Sequence, residues 1–527
     1  MSHKILFVTS EVLPLIKTGG LGDVSSSLPI ALTELGHDVR IIMPAYKQVL
    51  DKLERRKAGD SGRERRKEKR AGHIASRPYK AKIIARFAWN KVQINLLEMR
   101  LPDTQIKLYL IDNPHLYERP GTPYQDEMGN DWNDNAWRFK LLCQIAADIS
   151  TSKLDIQWCP DVLHANDWPS ALSCALLEQR QSKMNKRPAT VFTIHNLAHR
   201  GLFSEQCFND LSLDPSFWSL HELEFHGQFS FMKAGLVFSD RINTVSPSYA
   251  KEIQGIENGF GLDDLLRHKK DKLSGILNGI DTEQWNPKTD PMIKQRYSIK
   301  SLYLKKKNKL ALLEHFNLPQ LLDDNSKPVI LLGLVARLTD QKGIDLLLNA
   351  LPYMVTQPVQ LVILGSGDHW LEAQLQNWTD RHPDKIALFT GYDEELSHQI
   401  EAGSDAFLMP SHFEPCGLNQ LYSLRYGTLP IVNNVGGLSD TVNHANEENI
   451  ANKTATGIKF DYSAGETLNQ AINQALDLYQ QDKLWKQLMQ TAMQQEFTWQ
   501  QSAKEYVKLY DLAIADHKQD LQTKLSG

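Results

Sequence analysis

A short, wholly apolar run that empties into a glycine-rich loop and then a helix constrains this chain more than any other feature. The pattern recurs in both halves of its 527 residues. Lys4–Thr9 (KILFVT) reads as a strand buried on both faces. A glycine-rich turn follows, then an apolar helix through Leu28, Ala31, Leu32 and Leu35, a stop at Gly36 and a second strand at Val39–Met43. That succession is a βαβ unit, and strands buried on both faces need helices on either side of the sheet.

Further strand-like runs stand at Asp161–His164, Thr190–Ile194, Arg241–Val245 and Gly275–Leu277, with helix-like Ser170–Gln181 and Pro247–Gln254 between them. In the second half, Val329–Val335, Val359–Leu364, Ile386–Phe389, Ala406–Met409 and Leu429–Val432 alternate with helix-like Gly343–Met354, Trp370–Arg381, Glu394–Ala402 and Leu418–Tyr426. A single core stops growing near roughly 250–300 residues, so two α/β domains are expected. Each is Rossmann-like and doubly wound around a parallel sheet, and the two face one another across a deep cleft. The linker is placed near the start of Asn286–Asp324, a stretch that carries Lys305-Lys306-Lys307 and few strand signals. The divisions expected are 1–282, 283–500 and a C-terminal helix over 501–527.

Composition narrows the function classes. Hydrophobic residues are 41% and charged residues 23%, the mix of an ordinary globular protein. The net charge of −4 offers no broad attraction to nucleic acid or anionic membrane. Arg55–Arg70 carries nine basic and three acidic side chains without apolar periodicity, which reads as a solvated loop. The longest apolar run, Val329–Ala336, is far shorter than the roughly 20 residues of a spanning helix. No signal peptide is evident, and the five scattered cysteines have neither zinc nor disulfide-framework spacing, so a soluble, cytoplasmic protein is expected.

Doubly wound sheets bind ligands outside the carboxyl ends of their strands, so the loops there carry the chemistry. Lys17-Thr18-Gly19-Gly20-Leu21-Gly22-Asp23-Val24 reads either as backbone N–H groups open to an anion at a helix mouth, with Lys17 adding charge, or as a tight strand-to-helix connection. In Leu163–Trp168 (LHANDW), His164 and Asp167 either face the cleft or, for Asp167, cap the helix near Pro169. Thr193–Asn196 and Asn278-Gly279 are similar strand ends. Arg337–Gly343 (RLTDQKG) sets two cations and a helix start at one strand end, which suits a diphosphate. Glu414 of Ser411–Gln420 (SHFEPCGLNQ) either aims a carboxylate at the cleft or serves the helix dipole, with Cys416 a small buried thiol.

Taken together, KTGGLGDV, LHANDW, LNGID at Leu277–Asp281, RLTDQKG and FEPCGLNQLYSLRYGTLPIV at Phe413–Val432 resemble the bacterial glycogen synthase family over nearly the whole chain. The resemblance implies a retaining GT-B glycosyltransferase, with the first domain on the acceptor side and the second on the nucleotide-sugar side. It implies an ADP-glucose donor, a glycogen or other α-1,4-glucan acceptor, no cofactor and no metal, and it sets no subunit number. By motif, Lys17, Gly19 and Gly20 contact the donor, and Arg337 and Lys342 neutralise its diphosphate. Glu414 lies near the reacting sugar, His164 contacts the glucose with its ring or backbone, and Cys416, Gly417 and Leu418 line the sugar pocket. Tyr392 stacks on the base, Asp23 and Asn278 are neighbours, and the C-terminal helix crosses back to the first domain. Two features depart from the family pattern: the basic Arg55–Arg70 segment, and Asn166 where many relatives carry a second histidine. The competing readings are a sucrose- or trehalose-forming transferase and a catalytically silent glucan-binding scaffold.

Overall fold

The computed structural model describes residues 2–57, 81–89, 92–154, 156–184 and 187–526. Positions 58–70 of the basic run lie outside the described residues. Contacts divide the chain into two units. One holds Met1–Val245, Ala250–Gly279 and Trp499–Gly527, and the other holds Ser246–Tyr249 and Ile280–Thr498.

The first unit contains β1 (Lys4–Val8), β2 (Asp38–Pro44), β3 (Lys82–Trp89), β4 (Val92–Arg100), β5 (Lys107–Asp112), β6 (Val162–Asn166), β7 (Ala189–Ile194), β8 (Leu202–Ser204), β9 (Glu224–Phe225), β10 (Gln228–Ser230), β11 (Arg241–Thr244) and β12 (Leu273–Gly275). Nine of these form one sheet, in the order β12-β11-β7-β6-β1-β2-β5-β4-β3, while β8-β10-β9 form a small antiparallel sheet. The expected parallel sheet is present from β12 to β2, and β5, which gave no expected strand, continues it in parallel. The pairs β3–β4 and β4–β5 are antiparallel, an extension that the apolar-run pattern misses. These edge strands are only partly buried, so their residues alternate rather than form continuous apolar runs. The last strand also sits two residues earlier than expected, with Leu273 opposite Ile242.

The helix expected after β1 spans Gly20–Glu34 and buries Val24, Leu28, Ala31 and Leu32. Gly36 ends it at φ +91°, a conformation that glycine adopts without steric cost. The final helix, Trp499–Ser526, packs on the first unit. Its Tyr510 hydroxyl lies 2.9 Å from His164 Nδ1, its Tyr506 hydroxyl accepts from Asn243 at 3.0 Å, and Ser502 donates to the Leu277 carbonyl at 2.6 Å.

The second unit contains β13 (Ile330–Val335), β14 (Val359–Gly365), β15 (Ile386–Thr390), β16 (Ala406–Met409), β17 (Leu429–Asn433) and β18 (Ile458–Phe460). All pairs are parallel, in the order β15-β14-β13-β16-β17-β18. Alternation along the strands divides the core between the two faces of the sheet. Leu332, Leu334, Leu361 and Ile363 join one apolar cluster, and Leu331, Val362 and Leu364 join another. Short β18 gave no apolar run to read.

Residues 286–324 pack within the second unit. Lys305, expected in a charged run by the linker, is buried and donates to the Glu401 and Ala402 carbonyls and to Thr428 Oγ1 at 2.7–3.1 Å. Burial pushes its ammonium down to about 7. Trp285 is sandwiched between the rings of His398 and Tyr422 at 3.8 and 3.7 Å. Among the described residues, no helix is long and apolar enough to cross a membrane.

His164 is fully buried, and burial pushes its imidazole down to about 3. An unfolded histidine protonates near pH 6.5, so the stabilisation tied to this neutral ring is intact above that pH and lost as pH falls from 6.5 toward 3. Between about pH 5.5 and 4, this one group is expected to lower the unfolding free energy by about 1.4 kcal/mol per pH unit. Denaturant titrations should show a shallower acid dependence in His164→Gln; identical slopes in parent and variant would remove the assignment.

Candidate active site

In the second unit the chain leaves β13 toward β14 and β15, then returns on the other side at β16. The loops after β13 and β16 therefore diverge at a topological switch point, where open α/β sheets leave a crevice. Arg337–Gly343 forms the first loop, and Ser411–Leu418 belongs to the second. They touch backbone to backbone: His412 N–H donates to the Gln341 carbonyl at 3.0 Å. Gly343, at φ +66°, could carry no side chain, because a Cβ there would lie 1.9 Å from the Pro410 carbonyl oxygen.

This close approach brings two of the expected residues together. Lys342 Nζ is 2.5 Å from Glu414 Oε2, which also accepts from Ser411 Oγ at 3.1 Å. The Glu414 side chain is 7% exposed and that of Lys342 is 19% exposed, so the carboxylate is sheltered while its partner reaches the surface. Arg337 is exposed and forms no ion pair among the described residues. An exposed cation, a shielded cation–carboxylate pair and a following helix, Ile344–Met354, thus share one end of the sheet. The arrangement can neutralise an anionic leaving group while holding a carboxylate beside it.

Cys416, Gly417 and Leu418 follow as one turn into the helix Asn419–Tyr426. Gly417 has φ +72°, and Gln420 Nε2 donates back to the carbonyls of Cys416 and Gly417 at 2.9 and 3.1 Å. The Cys416 side chain is buried, whereas Leu418 is half-buried. Sequence reasoning overlooked Gly436-Gly437 after β17. Gly437 N–H donates to the Glu414 carbonyl at 3.0 Å, and a Cβ on Gly437 would meet the Cys416 carbonyl at 2.2 Å. Paired glycines between a strand and a helix, the signal used at Gly19-Gly20, would have flagged them. Tyr392, in the loop after β15, is 71% exposed, with its hydroxyl 3.4 Å from Glu394 Oε2.

In the first unit, Lys17 pairs with Asp23 at 2.8 Å, and Gly19 caps the helix that starts at Gly20. The anion at that helix mouth is the chain's own. Glu11, 2% exposed, accepts from Thr18 N–H and Oγ1 at 2.5 Å each and from Gly19 N–H at 3.3 Å. Of the loop amides, those of Thr18 and Gly19 are therefore engaged within the chain. Glu11 carries no motif signal, because its role depends on a fold-back across the loop. Asn278 is buried, and its Oδ1 has no hydrogen-bond partner among the described residues.

The His164 ring is fully buried, so its side chain presents no free face at this strand end. Strand β6 runs on to Asn166, so alternation turns the His164 ring inward. Both ring nitrogens are engaged there, by Tyr510 and by Thr193 Oγ1 at 2.8 Å. Asp167, just beyond, has left-handed backbone (φ +59°), and burial pushes its carboxyl up to about 7 against hydrogen bonds from backbone N–H groups.

Removing one partner of the shielded pair strands the other. Lys342→Met is expected to destabilise the protein by roughly 1–3 kcal/mol, the cost of an unsatisfied buried polar group. Adding Glu414→Gln should restore part of that loss. Denaturant melts showing additive losses in the double variant would contradict the pairing.

A family model described as starch synthase catalytic domain matches residues 4–268, and one described as glycosyl transferases group 1 matches residues 319–495. The chain is 49% identical over 508 residues to the glycogen synthase of Cellvibrio japonicus, spanning 96% of this chain and 99% of that protein. It is 48% identical over 512 residues to glycogen synthase 1 of Methylococcus capsulatus, spanning 97% of each. Among solved structures, the catalytic domain of starch synthase IV from Arabidopsis thaliana, bound to ADP and acarbose, matches with a TM-score of 0.83 at 28% identity. That match covers 98% of this chain and 100% of the other. Sucrose-phosphate synthase from Thermosynechococcus elongatus, at TM-score 0.55 and 16% identity, shares the fold alone. Matched along nearly its whole length, the chain belongs to the glycogen and starch synthase family of GT-B glycosyltransferases.

Proposed function

We propose that this protein transfers glucose from ADP-glucose to the non-reducing end of an α-1,4-glucan such as glycogen, with retention of configuration and release of ADP. The observation that carries the reading is the Lys342–Glu414 pair at the β13/β16 switch point. The glycogen synthases matched along the chain and the ADP-bound starch synthase neighbour support it.

In this reading Arg337 and Lys342 hold the donor's diphosphate. As the bond from C1 to the diphosphate oxygen breaks, charge grows on that oxygen, and fixed cations in a sheltered site stabilise it. Glu414 lies beside C1 and stabilises its positive character, with Cys416, Gly417 and Leu418 around the sugar and Tyr392 against the base. Lys17, Gly19 and Gly20, with Asp23 and Asn278 as neighbours, are assigned further donor contacts. No second carboxylate pairs with Glu414 in its motif, so a front-face route is preferred. The acceptor hydroxyl forms the new C1–O bond on the side the diphosphate leaves, and its proton passes to the departing diphosphate. Side-chain cations carry the neutralisation, so transfer is expected to persist in excess EDTA. The cytoplasm is the proposed location.

Purified protein with glycogen and competing ADP-glucose and UDP-glucose tests the donor; preferential use of UDP-glucose would overturn that assignment. Glu414→Gln is expected to lower kcat by roughly 100-fold or more while leaving ADP affinity within a few-fold. Lys342→Ala is expected to weaken both. Unchanged turnover in Glu414→Gln would remove its role.

A further inference from the structure

Glu11 is a buried carboxylate that faces no lysine or arginine within ion-pair distance among the described residues. Hydrogen bonds satisfy it instead. Thr18 N–H and Gly19 N–H donate to Oε2, and Thr18 Oγ1 and the Tyr124 hydroxyl donate to Oε1, the last at 2.5 Å. Donors aimed at an ionised acceptor make the strongest hydrogen bonds in a protein, and a negative charge at a helix start also meets the positive end of the helix dipole.

The backbone on either side is pinned as well. Thr9 Oγ1 donates to the Glu11 carbonyl at 2.9 Å and lies 2.8 Å from Ser25 Oγ, on the helix that follows the loop. Leu13 N–H donates to the Gly22 carbonyl at 3.2 Å, and Val12 and Ile16 bridge to one another. Tyr124 comes from a distant loop and also contacts Ser10 Oγ at 2.7 Å. Both ends of the segment 12–17 are therefore closed on a single carboxylate. Lys17 stands at the last position before the clamp, and Asp23 takes its ammonium.

We propose that Glu11, braced by Tyr124, is a positioning residue for the reaction: its carboxylate fixes the loop that presents Lys17 to the donor. This inference rests on the assignment of Lys17 as a donor contact. Glu11 touches no substrate; it acts by denying the loop other conformations. A plain helix cap would give the same contacts, but it would contribute to stability without coupling to Lys17.

The test uses the full chain with Glu11→Gln, Tyr124→Phe, Lys17→Ala and the double variant Glu11→Gln/Lys17→Ala. Folding is checked by thermal melts, ADP affinity by calorimetry, and kcat/KM with ADP-glucose and glycogen. Small misplacements of a binding group cost up to roughly 100-fold, so Glu11→Gln is expected to lower donor kcat/KM by about 10- to 100-fold, with the glucan KM within about twofold of the parent. Tyr124→Phe should show a smaller loss of the same kind, and it keeps the proposal testable where Glu11→Gln folds poorly. Residues that act as one unit are non-additive, so the double variant should be no worse than Lys17→Ala alone. Full additivity, or a Glu11→Gln enzyme with parental kcat/KM, overturns the proposal. A parent inactive with ADP-glucose would defeat the proposed function instead, and the coupling is then read from ADP affinity alone.

Discussion

An ammonium and a carboxylate 2.5 Å apart, at the ends of two neighbouring parallel strands, set the terms for the second unit. To hold them there, the loops after β13 and β16 must run almost in backbone contact. That is sterically possible only because position 343 lacks a side chain. The same economy of space recurs at Gly437, where the helix after β17 presses on the turn that follows Glu414. The glycines in these loops do more than bend the chain: they let three separate strand ends converge on the turn that carries Glu414. Its burial then calls for a partner, since a sheltered charge without one is costly, and Lys342 supplies it.

The first unit uses the same strand-to-helix geometry differently. Its glycine loop also opens a helix, yet the Thr18 and Gly19 N–H groups at that mouth are taken by Glu11. The helix start is thus a structural anion site filled from within, and the side chain left to present outward is Lys17. Two sheets of related design therefore expose cations by different means. Each lysine has a carboxylate as its direct partner, Glu414 in the second unit and Asp23 in the first, but in the first a further buried carboxylate, Glu11, binds the residue next to the lysine.

The final helix shows how a polar residue can mislead a reading made from motifs. His164 sits in a run that looks like a catalytic strand end, but its ring belongs to the seam between the sheet and Trp499–Ser526, between Thr193 and Tyr510. Lys305 is a parallel case, a member of a lysine run that is buried against carbonyl oxygens. In both, the side chain's hydrogen bonds offset the cost of burial, and burial in turn keeps the imidazole neutral and lowers the lysine's basicity.

The sequence by itself determined the α/β class, the parallel strands of both sheets except β5 and β18, the helix starts, and the strand ends where Lys17, Arg337, Lys342 and Glu414 stand. Those features are local: strands buried on both faces give continuous apolar runs, and a left-handed turn selects glycine. It did not disclose the half-buried edge strands β3 and β4, whose alternation is weak. Only the tertiary structure decided that Lys342 meets Glu414 across 72 residues, that Tyr124 braces Glu11 across 113, and that His164 turns toward Tyr510 across 346. Partners that far apart in the chain are brought together by how whole elements pack, and no short window of sequence encodes that geometry.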